Sequence, residues 1–251
     1  MKVIFFLLEG LSMEWIKQLQ LISKIFFRIN QYISKATKFS NTGNKLNKTE
    51  RNQHMQKCSS DLLGMLNVQT NCIKEPQISQ PSIFVGNHIS YLDILVLVKS
   101  YPLIFVAKEE VGNWPFIGKA TKLTNTILLK REDKKSRNLV RRKIANKILE
   151  QEDSLAIFPS GTTSIEKKNN WRKGAFEIAQ ENNIPIVPFR ISYSPLRQAA
   201  FIDNDYFLPH LLSLTQNDTI QAYIEFEKPR KINNIKNQIE ELENWSQDYF
   251  I

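Results

Sequence analysis

The sequence predicts an α/β protein: a largely parallel or mixed sheet flanked by helices, preceded by an N-terminal amphipathic helical region. Three observations predict it. Beyond about residue 80, short β-rich runs alternate with stretches of helical periodicity, the pattern of strand–helix–strand units. A length of 251 residues, 42% of them hydrophobic and 24% charged, suits one sizeable core with an appendage rather than a disordered chain. The formal charge of +9 is uneven, because residues 1–60 hold ten Lys or Arg against three Glu, a net of +7, while the rest carries only +2. This divides the chain into residues 1–60, a basic amphipathic helical region with a linker, and residues 61–251, the domain that carries the sheet.

Taken in order, Met1 to Leu8 begins with a lysine and an apolar run, but Glu9 interrupts it and no small-residue cleavage site follows, so it reads as neither signal peptide nor span. From Trp15 to Ile33, apolar residues at 15, 16, 19, 22, 26, 29 and 33 recur with helical spacing, and Lys17, Lys24 and Arg28 lie on the more polar side. Two readings fit: a helix in the membrane interface, or a core-facing helix of a globular protein. Concentrated basic charge beside apolar residues favours an anionic lipid surface, and no nucleic-acid signature accompanies it. Residues 36–50 read as an exposed linker and residues 51–65 as a second helix. Nowhere does the chain supply the roughly 18 consecutive apolar residues of a conventional span.

The expected strands are Ser82–Val85, Leu103–Ala107, Thr126–Leu129, Leu155–Phe158, Ile186–Ile191 and Ala222–Phe226. The expected helices are Asp93–Ser100, Pro115–Leu123, Arg137–Gln151, Gly174–Glu181 and Ile235–Tyr249. Sites in such folds gather at the carboxyl ends of strands, and both His88 and Ser160 follow a strand end. Cys58 and Cys72 form no C-x-x-C pair, which makes reduced thiols the default. His54, His88 and His210 lack ligand spacing, so no metal site is expected.

The chemistry begins with Asn87-His88-Ile89-Ser90-Tyr91-Leu92-Asp93. An imidazole whose second nitrogen is held by a carboxylate is a stronger base, because the carboxylate stabilises the imidazolium that forms. No strained nucleophile elbow lies in this block, which points to activation of a substrate's own hydroxyl. For Asp93 a helix N-cap is a second, compatible reading.

Five blocks follow in order: Ala107-Lys108-Glu109 leading to Trp114-Pro115-Phe116-Ile117-Gly118; Thr126 to Arg131; Phe158-Pro159-Ser160-Gly161-Thr162-Thr163-Ser164; Trp171-Arg172-Lys173-Gly174-Ala175-Phe176; and Ile184-Pro185-Ile186-Val187-Pro188. Over roughly Leu62 to Ile191 the chain resembles the lysophospholipid acyltransferases, specifically the 1-acylglycerol-3-phosphate acyltransferase superfamily. The resemblance makes residues 61–251 an acyltransferase domain, His88 the base and Asp93 its orienting carboxylate. It gives Arg131 to the acceptor's phosphate, a task suited to a planar guanidinium, although a solvated basic turn is the bland alternative. Lys173, with Arg172, would help hold phosphates near a helix N-terminus. Pro185 and Pro188 would line the acyl or donor site or simply shape a strand edge. The third block departs from the family's usual F-P-E-G-T-R-S: Ser160 replaces the Glu and Thr163 the Arg, while Gly161 and Thr162 keep a turn able to offer backbone N–H groups.

The resemblance implies transfer of a fatty acyl group from acyl-CoA or acyl-carrier protein to the hydroxyl of 1-acylglycerol-3-phosphate, giving phosphatidic acid, with no cofactor beyond that co-substrate. Thr163 raises lyso-ornithine lipid or a headgroup-bearing lysophospholipid as the alternative acceptor. A thioesterase-like hydrolase and a non-catalytic lipid-binding module are the competitors from other classes. The expected partners are a membrane lipid, an acyl donor and an anionic membrane surface, with a peripheral or monotopic place on the cytoplasmic face of a membrane and no role for nucleic acid.

Overall fold

The computed structural model describes residues 13–41, 47–113, 118, 121, 124–130, 134–167, 170–202, 204–214 and 219–248. Two helices come first, α1 (Met13–Asn41) and α2 (Lys48–Met65). Helix α1 continues to Asn41, into the first part of the segment expected to be linker, since Thr, Ser and Lys lower helix propensity by only tenths of a kcal/mol each and propagation from a formed helix is cheap. Helix α2 starts three residues earlier than expected because Asn47 and Glu50 form a capping box: the Asn47 side chain accepts from Glu50 N and Glu50 accepts from Asn47 N, both at 2.9 Å. It closes at Leu66, and Asn67 turns the chain with a left-handed φ of 53°.

The sheet contains β1 (Val68–Lys74), β2 (Ile83–Gly86), β3 (Ile104–Lys108), β4 (Ile127–Leu129), β5 (Leu155–Ile157), β6 (Ile186–Ser194) and β7 (Ile220–Phe226). Their spatial order is β1-β7-β6-β2-β5-β3-β4. Every neighbouring pair is parallel except β6 with β7, so β1 and β7 run against the other strands and the sheet is mixed. The helices of the domain are α3 (Leu92–Ser100), α4 (Lys134–Leu149), α5 (Gly174–Glu181), the short α6 (Leu196–Ala199), α7 (Phe207–Leu214) and α8 (Ile235–Gln247), with a 3₁₀ turn at Glu109–Asn113. Of the expected helix Pro115–Leu123, only Gly118 and Thr121 are among the described residues, and both are helical.

Alternate strand residues feed two cores. Phe84, Phe189, Ile191 and Ile224 join Ile25 of α1, Leu63 of α2, Leu97 of α3 and Leu211 of α7 on one face. Ile83, Val85 and Ile186 join Ile144 of α4, Phe176 of α5 and Leu242 of α8 on the other, which completes a three-layer α/β/α arrangement. Ile22 and Ile25 therefore use α1 for packing against the domain, while Leu19 and Phe27 point outward among exposed Lys17, Lys24 and Arg28. Among the described residues no helix is long and apolar enough to cross a membrane.

Strand β1, and the helices α6 and α7, were not expected. In β1 the sequence Val-Gln-Thr-Asn-Cys-Ile-Lys lacks a β-rich pattern because it is an edge strand, held in part by polar pairs such as Asn71 Nδ2 to Gln221 Oε1 at 3.0 Å.

Candidate active site

Strand β2 lies between β5 and β6, with Val85 opposite both Ile157 and Pro188, so the carboxyl ends of β2 and β5 meet beside the longer β6. The chain leaves β2 at Gly86, where a Cβ would stand 2.3 Å from the Phe189 carbonyl oxygen; only glycine fits between the strands there. Asn87 then holds the loop to β6, donating to Ile191 O and accepting from Ile191 N, each at 2.8 Å. Two further backbone bonds fix it from other sides: Ser164 N to His88 O at 2.8 Å and Phe201 N to Ile89 O at 3.0 Å.

On this pinned loop, His88 Nδ1 lies 2.7 Å from Asp93 Oδ2. The same oxygen accepts from Ile89 N at 2.7 Å and Ser90 N at 3.0 Å, while Oδ1 accepts from the Tyr193 hydroxyl at 2.7 Å. Asp93 has no exposed surface, and four donors surround its carboxylate in place of water. It thus holds His88 and binds the N–H groups of Ile89 and Ser90 ahead of α3, but the N-cap reading is not met: Tyr91 occupies the cap position, and Asp93 sits in the first turn with its side chain turned back onto the loop. The His88 ring stacks on Phe158, centroids 3.8 Å apart and planes 11° apart, which fixes its orientation from a third direction. With Nδ1 committed, no described residue takes Nε2, and the side chain keeps 17% exposure. An imidazole held in this way could take a proton on one nitrogen only, Nε2.

The third block forms a turn beside this pair. Gly161 N donates to Phe158 O at 3.0 Å, and Gly161 adopts φ 72°, a left-handed conformation that glycine takes without strain. Ser160 Oγ donates to Thr162 O at 2.9 Å, so this hydroxyl braces the turn. The backbone N–H groups of Thr162 and Thr163 take no acceptor among the described residues. Arg172 N donates to Pro159 O at 3.1 Å, tying the third block to the fourth. Lys173 is exposed, and its Nζ pairs with Glu177 at 2.9 Å at the start of α5. Glu177 also meets Arg141 of α4, and these two cations hold its carboxyl below the usual range.

His88, Asp93 and the Ser160-Gly161-Thr162-Thr163 turn are therefore brought together, and Lys173 stands at the next helix start. Arg131 and Trp114 to Ile117 lie outside the described residues. Sequence reasoning missed Tyr193, Phe158 as a stacking partner, and Asn87 as the anchor of the loop. Tyr193 left no local signal because its partner lies 100 residues earlier. Glu243 of α8 was also missed: its buried carboxylate accepts from Asn170 N at 2.7 Å and Trp171 N at 3.0 Å, holding the segment that leads to Lys173. Cys58 and Cys72 are both free thiols. Among the described residues, no cluster of three or more His, Cys, Asp or Glu is placed to hold a metal ion.

Comparison with known proteins gives a consistent result. The family described as Acyltransferase matches residues 64–192. The lyso-ornithine lipid O-acyltransferase of Pseudomonas aeruginosa is 33% identical over 155 residues, covering 60% of this chain and 59% of that protein. The 1-acyl-sn-glycerol-3-phosphate acyltransferase of Helicobacter pylori is 38% identical over 110 residues, 42% of this chain and 46% of that protein. The matched part thus spans about half the length of these curated relatives. In fold, the crystal structure of the 1-acyl-sn-glycerophosphate acyltransferase PlsC from Thermotoga maritima superposes with a TM-score of 0.68 over 94% of this chain and 95% of that one, at 16% identity.

Proposed function

On the premise that this chain belongs to the acyltransferase family matched over residues 64–192, we propose that it transfers a fatty acyl group from a thioester donor, acyl-CoA or acyl-carrier protein, to the free hydroxyl of a lysolipid. The observation that carries this reading is the His88–Asp93 pair at 2.7 Å, with Nε2 open beside a turn of backbone N–H groups. The acceptor oxygen attacks the thioester carbonyl carbon as its proton passes to His88 Nε2. Asp93 stays ionised and stabilises the imidazolium. The oxyanion is met by the N–H groups of Thr162 and Thr163. Collapse breaks the C–S bond, and the departing sulfur takes the proton back from His88, leaving an ester, a thiol and a neutral base. No covalent acyl-enzyme and no cofactor enter these steps.

Two acceptors compete, and the third block favours lyso-ornithine lipid over 1-acylglycerol-3-phosphate. Thr163 supplies a hydroxyl where a guanidinium would grip a phosphate, and Lys173 already pairs with Glu177. A relative named for lyso-ornithine lipid also aligns over the longer stretch, 155 residues against 110. Arg131, with Lys130 beside it, is the specific observation that keeps 1-acylglycerol-3-phosphate as the second reading. Initial rates with one acyl-CoA and a panel of both lysolipids and a headgroup-bearing lysophospholipid decide between them. A kcat/KM at least tenfold higher for lyso-ornithine lipid supports the first reading, and a preference for 1-acylglycerol-3-phosphate reverses the order. Thiol release without any acceptor points to a hydrolase, and no turnover of any kind to a lipid-binding module.

The acceptor sits in a bilayer, so the site must meet one. The outward Leu19 and Phe27 of α1, set among Lys17, Lys24 and Arg28, form the face that would rest on an anionic surface, with apolar groups at the headgroup boundary and cations toward lipid phosphates. On this reading the protein associates with the membrane peripherally.

A further inference from the structure

Asp93 is enclosed, and its two oxygens are used differently. Oδ2 is shared by His88 Nδ1, Ile89 N and Ser90 N, at 2.7, 2.7 and 3.0 Å. Oδ1 has one described donor, the hydroxyl of Tyr193 at 2.7 Å. Tyr193 comes from β6, on the other side of β2 from β5, and only 2% of its surface is exposed. A hydrogen bond to an ionised group shut away from water is among the strongest a side chain makes, and it draws charge from the carboxylate it serves.

We propose that Tyr193 is a positioning residue that sets the basicity of His88 through Asp93, by holding Oδ1 and limiting how strongly Oδ2 draws the imidazole proton. The inference rests on the reading of His88 as the base. It has three physical parts. With Oδ1 fixed, the carboxylate plane is fixed, and Oδ2 presents a constant direction to Nδ1. With charge drawn toward Oδ1, Oδ2 is a weaker partner for the proton on Nδ1, so the imidazolium is stabilised less than by a bare carboxylate. With Tyr193 buried, its phenol is kept from ionising by desolvation first and by the Asp93 charge second, so it remains a donor throughout the working range.

The surroundings leave few other groups to play this part. Tyr91, on the catalytic loop, is the other ionisable group near Tyr193, and its own hydroxyl lies 3.0 Å from His210 Nδ1 of α7. Burial raises the Tyr91 phenol and lowers His210, which keeps both uncharged at neutral pH. From the β5 side, His88 meets the uncharged Phe158 ring and the Ser164 backbone. Asp93 is thus the charged neighbour of His88, and Tyr193 the side chain that modulates it.

The test compares the whole protein with Tyr193→Phe and with 3,5-difluorotyrosine incorporated at position 193, which donates a stronger hydrogen bond at nearly the same volume. In the phenylalanine variant the acid limb of the kcat profile is expected to move up by about one pH unit, with kcat down about tenfold on that limb, converging at high pH. KM for donor and acceptor should be unchanged. The fluorinated side chain is expected to move the limb the other way. Histidine-selective ¹⁵N NMR gives an independent readout, because the His88 Nδ1 proton should shift to lower field in Tyr193→Phe as its bond to Oδ2 strengthens. A limb that stays put in both variants, or an equal loss of kcat at every pH with a lowered melting temperature, overturns the inference. If the unaltered protein acylates no lysolipid, the proposed function fails, while the NMR comparison still decides whether Tyr193 tunes His88.

Discussion

His88 is held at every point except the one its proposed chemistry uses. Nδ1 is bound to Asp93, the ring face lies on Phe158, and the backbone oxygen takes the Ser164 N–H, which leaves Nε2 as the reactive nitrogen. Replacing His88 with Ala is expected to lower kcat by a factor on the order of 10³ or more with little change in melting temperature, measured by acyl transfer and by circular dichroism. Asp93→Asn is harsher on the fold: an amide NH₂ would face donors, and loss of the carboxylate also favours the wrong imidazole tautomer. Transfer should fall by roughly 10³ to 10⁴, and the melting temperature should fall as well. The His88–Asp93 contact was legible in the sequence because the two residues lie five apart, across the step from the β2 loop into α3. Tyr193 was not, since the bond that places it crosses from β2 to β6 and no local pattern encodes such a contact.

At the scale of elements, the alternation of apolar runs and helical periods fixed most of the sheet and the placement of α5, because buried strands and capped helices write their periods locally. What it could not reveal was the antiparallel pairing of β6 with β7, or β1 on the edge: both depend on pairing partners far away in the chain. Gly86 is the tightest junction. Gly86→Ala would press a methyl into Phe189, and we expect a loss of at least about 1–3 kcal/mol, read as a drop of several degrees in melting temperature. Glu243 ties α8 to the Asn170–Trp171 segment, and burial raises its carboxyl despite three hydrogen bonds that pull it down. A group that binds its proton more tightly folded than unfolded favours the fold at low pH, and that contribution is lost as pH rises from the ordinary carboxyl range through its raised value. Glu243→Gln keeps the acceptor oxygen and removes the charge, so its melting temperature should equal or exceed that of the unaltered protein at pH 8, with the gap closing near pH 4. Glu243→Ala leaves two N–H groups without an acceptor and should cost about 1–3 kcal/mol at either pH.

At the scale of the molecule, the same helix serves core and surface. Ile22 and Ile25 of α1 are buried with α2 and the sheet, while Phe27, 64% exposed, faces outward beside Lys24 and Arg28. Cosedimentation with anionic vesicles should weaken markedly in a Lys24→Glu, Phe27→Asp double variant and in high salt, whereas neutral vesicles should bind poorly from the start. Charge asymmetry is what points to such a surface in the sequence. The inward packing of Ile22 and Ile25 was one of two open readings there, because periodicity finds an apolar face without saying what covers it. The most direct measurement is acyl transfer from labelled acyl-CoA to lysolipid in vesicles, comparing the unaltered protein with His88→Ala. The diacyl product should form with the first and be at least about 10³-fold slower with the second while the fold is retained. Transfer by folded His88→Ala at the unaltered rate would contradict the assignment of this loop as the catalytic base.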